Sequence, residues 1–115
     1  MDITEDRSPN AVTLILSGRL DGTSSSAFES RVLGYIEAGD TRLIIDMAEL
    51  AYISSVGLRV FLVAAKRLKP VDGRLALCAL RPSIAQVFEI AGFSSMFTIT
   101  DTRAEAEAAV SAPAR

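Results

Sequence analysis

Leu43-Ile44-Ile45-Asp46-Met47 is a continuous apolar run broken by a single acid. A strand with one wet face alternates apolar and polar residues, whereas a continuous run predicts burial on both faces, as in a sheet covered by helices. Leu75-Ala76-Leu77-Cys78-Ala79-Leu80 has the same character and predicts a second buried strand. Between the two the apolar spacing changes. Leu58, Phe61, Leu62, Ala65 and Leu68 form one stripe of a helix that begins near Ser55 and ends before Pro70. Strand, helix and strand in that order point to a parallel pairing across a helical crossover.

The flanking segments extend the alternation. Ala11-Val12-Thr13-Leu14-Ile15-Leu16 reads as a strand, and a shorter one around Ile3 precedes it across the turn signal Ser8-Pro9-Asn10, so these two form an antiparallel hairpin. Gly18 to Thr23 reads as a loop. The helix after it carries Phe28, Val32, Leu33 and Ile36 on one face and stops at Gly39-Asp40. Its cap is Ser26 paired with Glu29, or else Thr23 or Ser24. Pro82-Ser83 opens a third helix with Ile84, Val87, Phe88 and Ala91 facing inward and Gly92 closing it. Phe97-Thr98-Ile99 is a last short strand, and Thr102 with Glu105 caps a final Ala/Glu-rich helix ahead of a frayed tail from Ser111 to Arg115. The expected fold is an α/β sandwich, a mixed, mostly parallel sheet of about five strands flanked by about four helices. At 115 residues the chain reads as one domain, 1–115.

Composition excludes several functions. The chain has no histidine, which removes Ser-His-Asp and Cys-His arrangements and histidine-based metal sites. It also lacks a cysteine cluster, a nucleophile elbow and a phosphate-binding P-loop, so neither catalysis nor a cofactor is expected. The formal charge is −2 with both signs interspersed, so nucleic acid finds no basic stripe. The acidic start, Met1 to Asp6, is no signal peptide, and no apolar run is long enough for direct membrane insertion. A cytoplasmic protein is the expectation. The single cysteine, Cys78, lies in a predicted strand and reads as structural.

Ser54-Ser55-Val56-Gly57-Leu58 remains. It places two hydroxyls where a strand-to-loop segment becomes a helix. Helix N-termini present unpaired N–H groups and a positive dipole end, where a phosphate is well tolerated. The segment therefore reads as a place to write a charge on a folded surface, or simply as a helix cap. Gly57 admits either close approach of a partner or tight packing on the sheet. Arg59, Val60, Val63 and Arg67 fall off the core stripe. The two valines there suit a partner surface, with cover by a neighbouring helix as the alternative. Asp21 serves either a bound partner or a turn. Asp46 is expected to hold the nearby loop by hydrogen bonds, with a place on the switch surface as the alternative, and Tyr52 and Phe61 are expected in the core.

These residues together resemble the STAS domain family, and within it the bacterial anti-sigma factor antagonists, over nearly the whole chain. Gly18-Arg19-Leu20-Asp21 is similar to the family's G-x-L-D loop, and Leu43 to Met47 to its central strand. Tyr52-Ile53-Ser54-Ser55-Val56-Gly57-Leu58 is similar to its phosphorylation segment, D-S-S-G-L or D-S-T-G-L. Leu77-Cys78-Ala79-Leu80-Arg81-Pro82 and Phe88-Glu89-Ile90-Ala91-Gly92-Phe93 resemble the later strand and helix. With Gly57-Leu58 in register, the family's acid falls on Ser54, its phosphoacceptor on Ser55 and its small or hydroxyl residue on Val56. Ser54 in place of the acid is a departure that leaves a second hydroxyl, so Ser54 is the alternate acceptor. The resemblance implies a protein that binds an anti-sigma factor with serine-kinase activity, is released when that kinase phosphorylates it, and is reset by a serine phosphatase. It implies a partner surface made of Asp21, Thr23, Ser54, Ser55, Val56, Gly57, Arg59, Val60 and Val63. The alternative within the family is a fixed subunit of a lipid-transport ABC complex.

Overall fold

The two apolar runs do become the central strands of a covered sheet. In a computed structural model, which describes residues 1–111, the elements run β1 (Asp2–Arg7), β2 (Val12–Leu20), α1 (Ser25–Glu37), β3 (Arg42–Ile53), α2 (Ser55–Leu68), β4 (Arg74–Cys78), α3 (Pro82–Ile90), β5 (Thr98–Thr100) and α4 (Arg103–Ser111), with a 3-10 turn at Lys69–Val71. The five strands lie in the order β1-β2-β3-β4-β5. The leading hairpin is antiparallel, and every other pairing is parallel. This is the mixed, mostly parallel sheet with four helices that the alternation predicts.

Period-two alternation sorts the side chains onto two faces. Leu14, Leu16, Leu43, Ile45, Met47 and Leu77 point into the main core beneath α1, α2 and α3, where Phe28, Phe61 and Phe88 meet them. Ile44, Ala76 and Cys78 point the other way, into a smaller core closed by Ala106 and Val110 of α4. Burial pushes the Cys78 thiol up to about 11, and nearby Asp46 adds to the shift, so it remains a protonated core group. The Thr102 hydroxyl accepts from the Glu105 N–H at 3.2 Å, while the Glu105 carboxylate accepts from the Thr102 N–H at 3.1 Å. That reciprocal pair is the capping box expected for α4.

Several boundaries differ from the expectation. Gly18-Arg19-Leu20 is strand, because β2 stays paired with β3 beyond Met47: Gly18 lies against Leu50, Arg19 against Tyr52 and Leu20 against Ile53. Register shifts interrupt this pairing, and Gly18 takes φ +107° within them, a conformation open to glycine. Asp46 therefore sits mid-strand, and its carboxylate accepts from the Ala48 N–H at 3.0 Å rather than holding the Ser55 loop. β4 stops at Cys78, two residues early, where Ala79 turns into the left-handed region. Ala91 is exposed, because α3 ends at Ile90 and Ala91 is its C-cap. Ser111, expected in a frayed tail, is the last residue of α4. The rest of that expectation lies outside the described residues.

Candidate functional site

Two loops meet at the carboxyl ends of β2 and β3, the position at which parallel sheets present loops for binding. The first runs from Asp21 to Ser24. The second is the turn from Ile53 into α2. They are joined by the Ser54 N–H, which donates to the Leu20 carbonyl at 2.9 Å. The junction is also tight. A Cβ on Gly57 would lie 2.8 Å from Leu20 Cγ, 2.9 Å from the Leu20 carbonyl oxygen and 3.2 Å from Ile53 Cγ1. Tight packing, one of the two readings of Gly57, is present here against Leu20 and Ile53.

Gly57→Ala follows as a test. Alanine favours a helix over glycine by about 1 kcal/mol, while overpacking costs about 1–3 kcal/mol. The clash prevails here because the carbonyl in the way is pinned by the Ser54 N–H. We expect the melting temperature of Gly57→Ala to fall by several degrees in a thermal scan. An unchanged or raised value would mean that the loops can part without cost.

The two serines are not equivalent. Ser54 is the N-cap of α2, with extended backbone, and its hydroxyl accepts from the Gly57 N–H at 3.1 Å. Ser55 is the first helical residue and is exposed, and its hydroxyl makes no hydrogen bond among the described residues. Ser54→Ala should therefore destabilise the fold by about 1 kcal/mol, the usual worth of such a cap. Ser55→Ala should change stability by less than about 0.5 kcal/mol, both variants being read by urea titration. Equal effects of the two would deny the capping role of Ser54.

The first loop is held from within. The Asp21 carboxylate accepts from the Thr23 hydroxyl at 2.8 Å and from the Thr23 N–H at 3.0 Å, and these bonds hold it below the usual carboxylate range. The Ser24 hydroxyl donates to the Arg19 carbonyl at 2.8 Å and accepts from the Asp21 N–H at 3.0 Å. Asp21 thus acts as a turn residue. Ser24 is the N-cap position of α1, although its hydroxyl bonds this loop instead of the helix.

Asp21, Thr23, Ser54, Ser55, Val56 and Gly57 come together around this junction, with Val56 53% exposed. Arg59 is exposed one turn further along α2, and Val63 is half-buried. Val60 is corrected: at 2% exposure it belongs to the main core, so it offers no free surface. The buried stripe of α2 is Gly57, Leu58, Val60, Phe61, Ala64 and Leu68, rotated from the expected one, and Phe61 in it meets Phe28 of α1. Tyr52 is also corrected. It is 40% exposed, with the Arg19 guanidinium stacked 4.2 Å above its ring and 3.8 Å from the Asp21 carboxylate. This stack becomes visible only once β2 is known to run past Gly18 and to pair Arg19 with Tyr52.

Among the described residues no group of three or more His, Cys, Asp or Glu is placed to hold a metal ion. No helix there is long and apolar enough to cross a membrane. The arrangement presents the exposed hydroxyl of Ser55 at the first turn of α2.

Known proteins carry the same organisation. The Bordetella bronchiseptica protein BtrV, named as a candidate anti-sigma factor antagonist, is 38% identical over 109 residues, covering 95% of this chain and 94% of the relative. A crystal structure of a candidate anti-sigma factor antagonist from Thermotoga maritima superposes with a TM-score of 0.89 at 19% identity, covering 94% of this chain and 93% of that one. The Bacillus cell fate determinant SpoIIAA, solved in its phosphorylated form, superposes with a TM-score of 0.75 at 23% identity over 95% of this chain and 99% of that one. The STAS domain profile matches residues 2–106, from the first strand into α4. STAS domains are regulatory modules and not enzymes. By sequence along nearly its whole length and by fold, this chain belongs to the STAS domain, anti-sigma factor antagonist family.

Proposed function

We propose that this chain is an anti-sigma factor antagonist that works by partner switching, with Ser55 as its phosphoacceptor. Unphosphorylated, it binds an anti-sigma factor with serine-kinase activity and so relieves a sigma factor. Phosphorylation of Ser55 ends that binding, and a serine phosphatase restores it. The observation that carries the reading is the contrast between the two serines: the Ser55 hydroxyl is exposed and unengaged, while that of Ser54 is half-buried and occupied as the cap. A kinase needs an accessible hydroxyl, and modifying Ser54 would cost the helix its cap. Similarity to BtrV and to a protein solved in a phosphorylated form supports the same direction.

The contact surface is assigned to Asp21, Thr23, Ser54, Ser55, Val56 and Arg59 around the α2 N-terminus, with Gly57 packed beneath it. A phosphate adds close to two negative charges there. The group suits the positive end of the helix, so the fold survives it, while a partner docked on the same surface meets charge repulsion and a desolvation cost.

The test is to capture partners on the wild-type chain, add ATP and magnesium, and map phosphate by mass spectrometry. Phosphate on Ser55 accompanied by release of a captured partner is the expected result. A complex that stays intact without phosphate transfer would overturn the reading and favour a fixed subunit, such as one of a lipid-transport assembly. Phosphate confined to Ser54 would overturn the choice of acceptor.

A further inference from the structure

We infer that Arg59 is the built-in counter-ion of a phosphate on Ser55, so that modification both adds charge to the surface and withdraws an arginine from it. The inference rests on Ser55 being the modified residue.

The geometry is that of one helix. Ser55 and Arg59 stand four residues apart on α2, and both are exposed. Residues at this spacing are neighbours on the helix surface, with about 5–6 Å between Cβ atoms. Helical side chains lean toward the N-terminus, so a side chain as long as arginine at position 59 can reach the turn that holds Ser55. The anion lies N-terminal to the cation, which is the stronger of the two orders.

Nothing competes for Arg59. The first turn of α2 contains no acidic residue. Leu62 and Val63, its neighbours toward the C-terminus, are apolar, and Arg59 belongs to none of the ion pairs among the described residues. The other cation of this region, Arg19, is already stacked on Tyr52 and faces Asp21. The pairing is also specific to one serine. Three and four residues after Ser54 come Gly57 and Leu58, both buried, so a phosphate on Ser54 finds no cation along its own helix.

In the unmodified chain Arg59 is an exposed cation beside Val56, available to an acidic group of a partner. After modification it pairs with the phosphate. The partner then loses an attractive contact at the same moment that it meets a repulsive one.

The experiment installs phosphoserine at position 55 during translation, so that no kinase is needed. It compares melting temperatures across a four-protein cycle: serine or phosphoserine at 55, each with Arg59 or with Arg59→Gln. Phosphorylation should raise the melting temperature by roughly 2–4 °C more in the Arg59 background than in Arg59→Gln, the order expected of one helix ion pair. The difference should shrink in 0.5 M salt, and Arg59→Lys should retain part of it. Equal shifts in the two backgrounds would overturn the inference. Phosphate mapping to another residue in the capture experiment would remove the regulatory reading but leave this coupling measurable. Equal shifts combined with phosphate on Ser55 would remove only the role of Arg59.

Discussion

Replacing Phe61 with alanine is expected to lower the unfolding free energy by about 3–5 kcal/mol, read from urea titration. Phe61 is 1% exposed and sits where three helices meet. Its ring centroid lies 5.6 Å from that of Phe28 on α1, 5.6 Å from Phe88 on α3 and 6.4 Å from Phe97 ahead of β5. Truncation removes the transfer energy of the ring, the tilted and edge-on ring contacts, and the packing around the space left behind. Domains of this kind hold only about 5–15 kcal/mol in total, so the variant should stand near the margin of folding. A loss below about 1.5 kcal/mol would show that the neighbouring rings close over the cavity. Phe61 also lies on the helix whose first turn carries the serines. The variant is therefore expected to lose partner binding through the fold, with no direct contact removed.

The fold was legible in the sequence because its two periods are unmixed. Leu43 to Met47 has no polar alternation, and the stripe from Leu58 to Leu68 keeps helical spacing, so strand and crossover are distinguished by local pattern alone. Capping chemistry located the start of α4 in the same way, at Thr102 and Glu105, whereas the Ser26–Glu29 box expected for α1 is absent because the helix starts at Ser25 and Ser24 bonds the preceding loop. What failed to show was set by tertiary pairing. Gly18-Arg19-Leu20 has the composition of a loop and becomes strand only because β3 runs beside it as far as Ile53. Val60 looks like surface on the stripe read from the sequence, and is buried in the main core because the packed face of α2 is centred nearer Gly57, Phe61 and Ala64. Tyr52 has the size of a core residue, yet its strand position turns it away from Ile53 and toward Arg19. At the site, sequence located both serines. Their separation into a cap and a free hydroxyl depends on which backbone N–H each can reach, and that is fixed by where α2 begins.

Ser55→Glu is expected to weaken binding of the captured anti-sigma partner more than a hundredfold while leaving the melting temperature within about 2 °C of wild type. The affinity figure corresponds to about 3 kcal/mol, within reach of one acidic group desolvated against a partner that also loses Arg59 as a free cation. The stability figure follows from position. Ser55 is exposed at the first turn of α2, where an acidic side chain meets the positive end of the helix and strains nothing. The adjacent Val56 is apolar and 53% exposed, so a partner that covers it also desolvates a charge at position 55. Glutamate carries one charge where phosphoserine carries nearly two, so its effect is a lower bound on that of the modification. Ser55→Ala should bind within about threefold of wild type, since truncating one exposed hydroxyl removes at most a weak contact. Ser54→Glu separates surface from scaffold, because it replaces the group that accepts from the Gly57 N–H and should lower the melting temperature as well. Isothermal titration calorimetry and a thermal scan on the same three variants decide the matter. Binding of Ser55→Glu within threefold of wild type would rule out the α2 N-terminus as the switched surface. A matching loss in Ser55→Ala would make the hydroxyl a fixed contact instead of a switch.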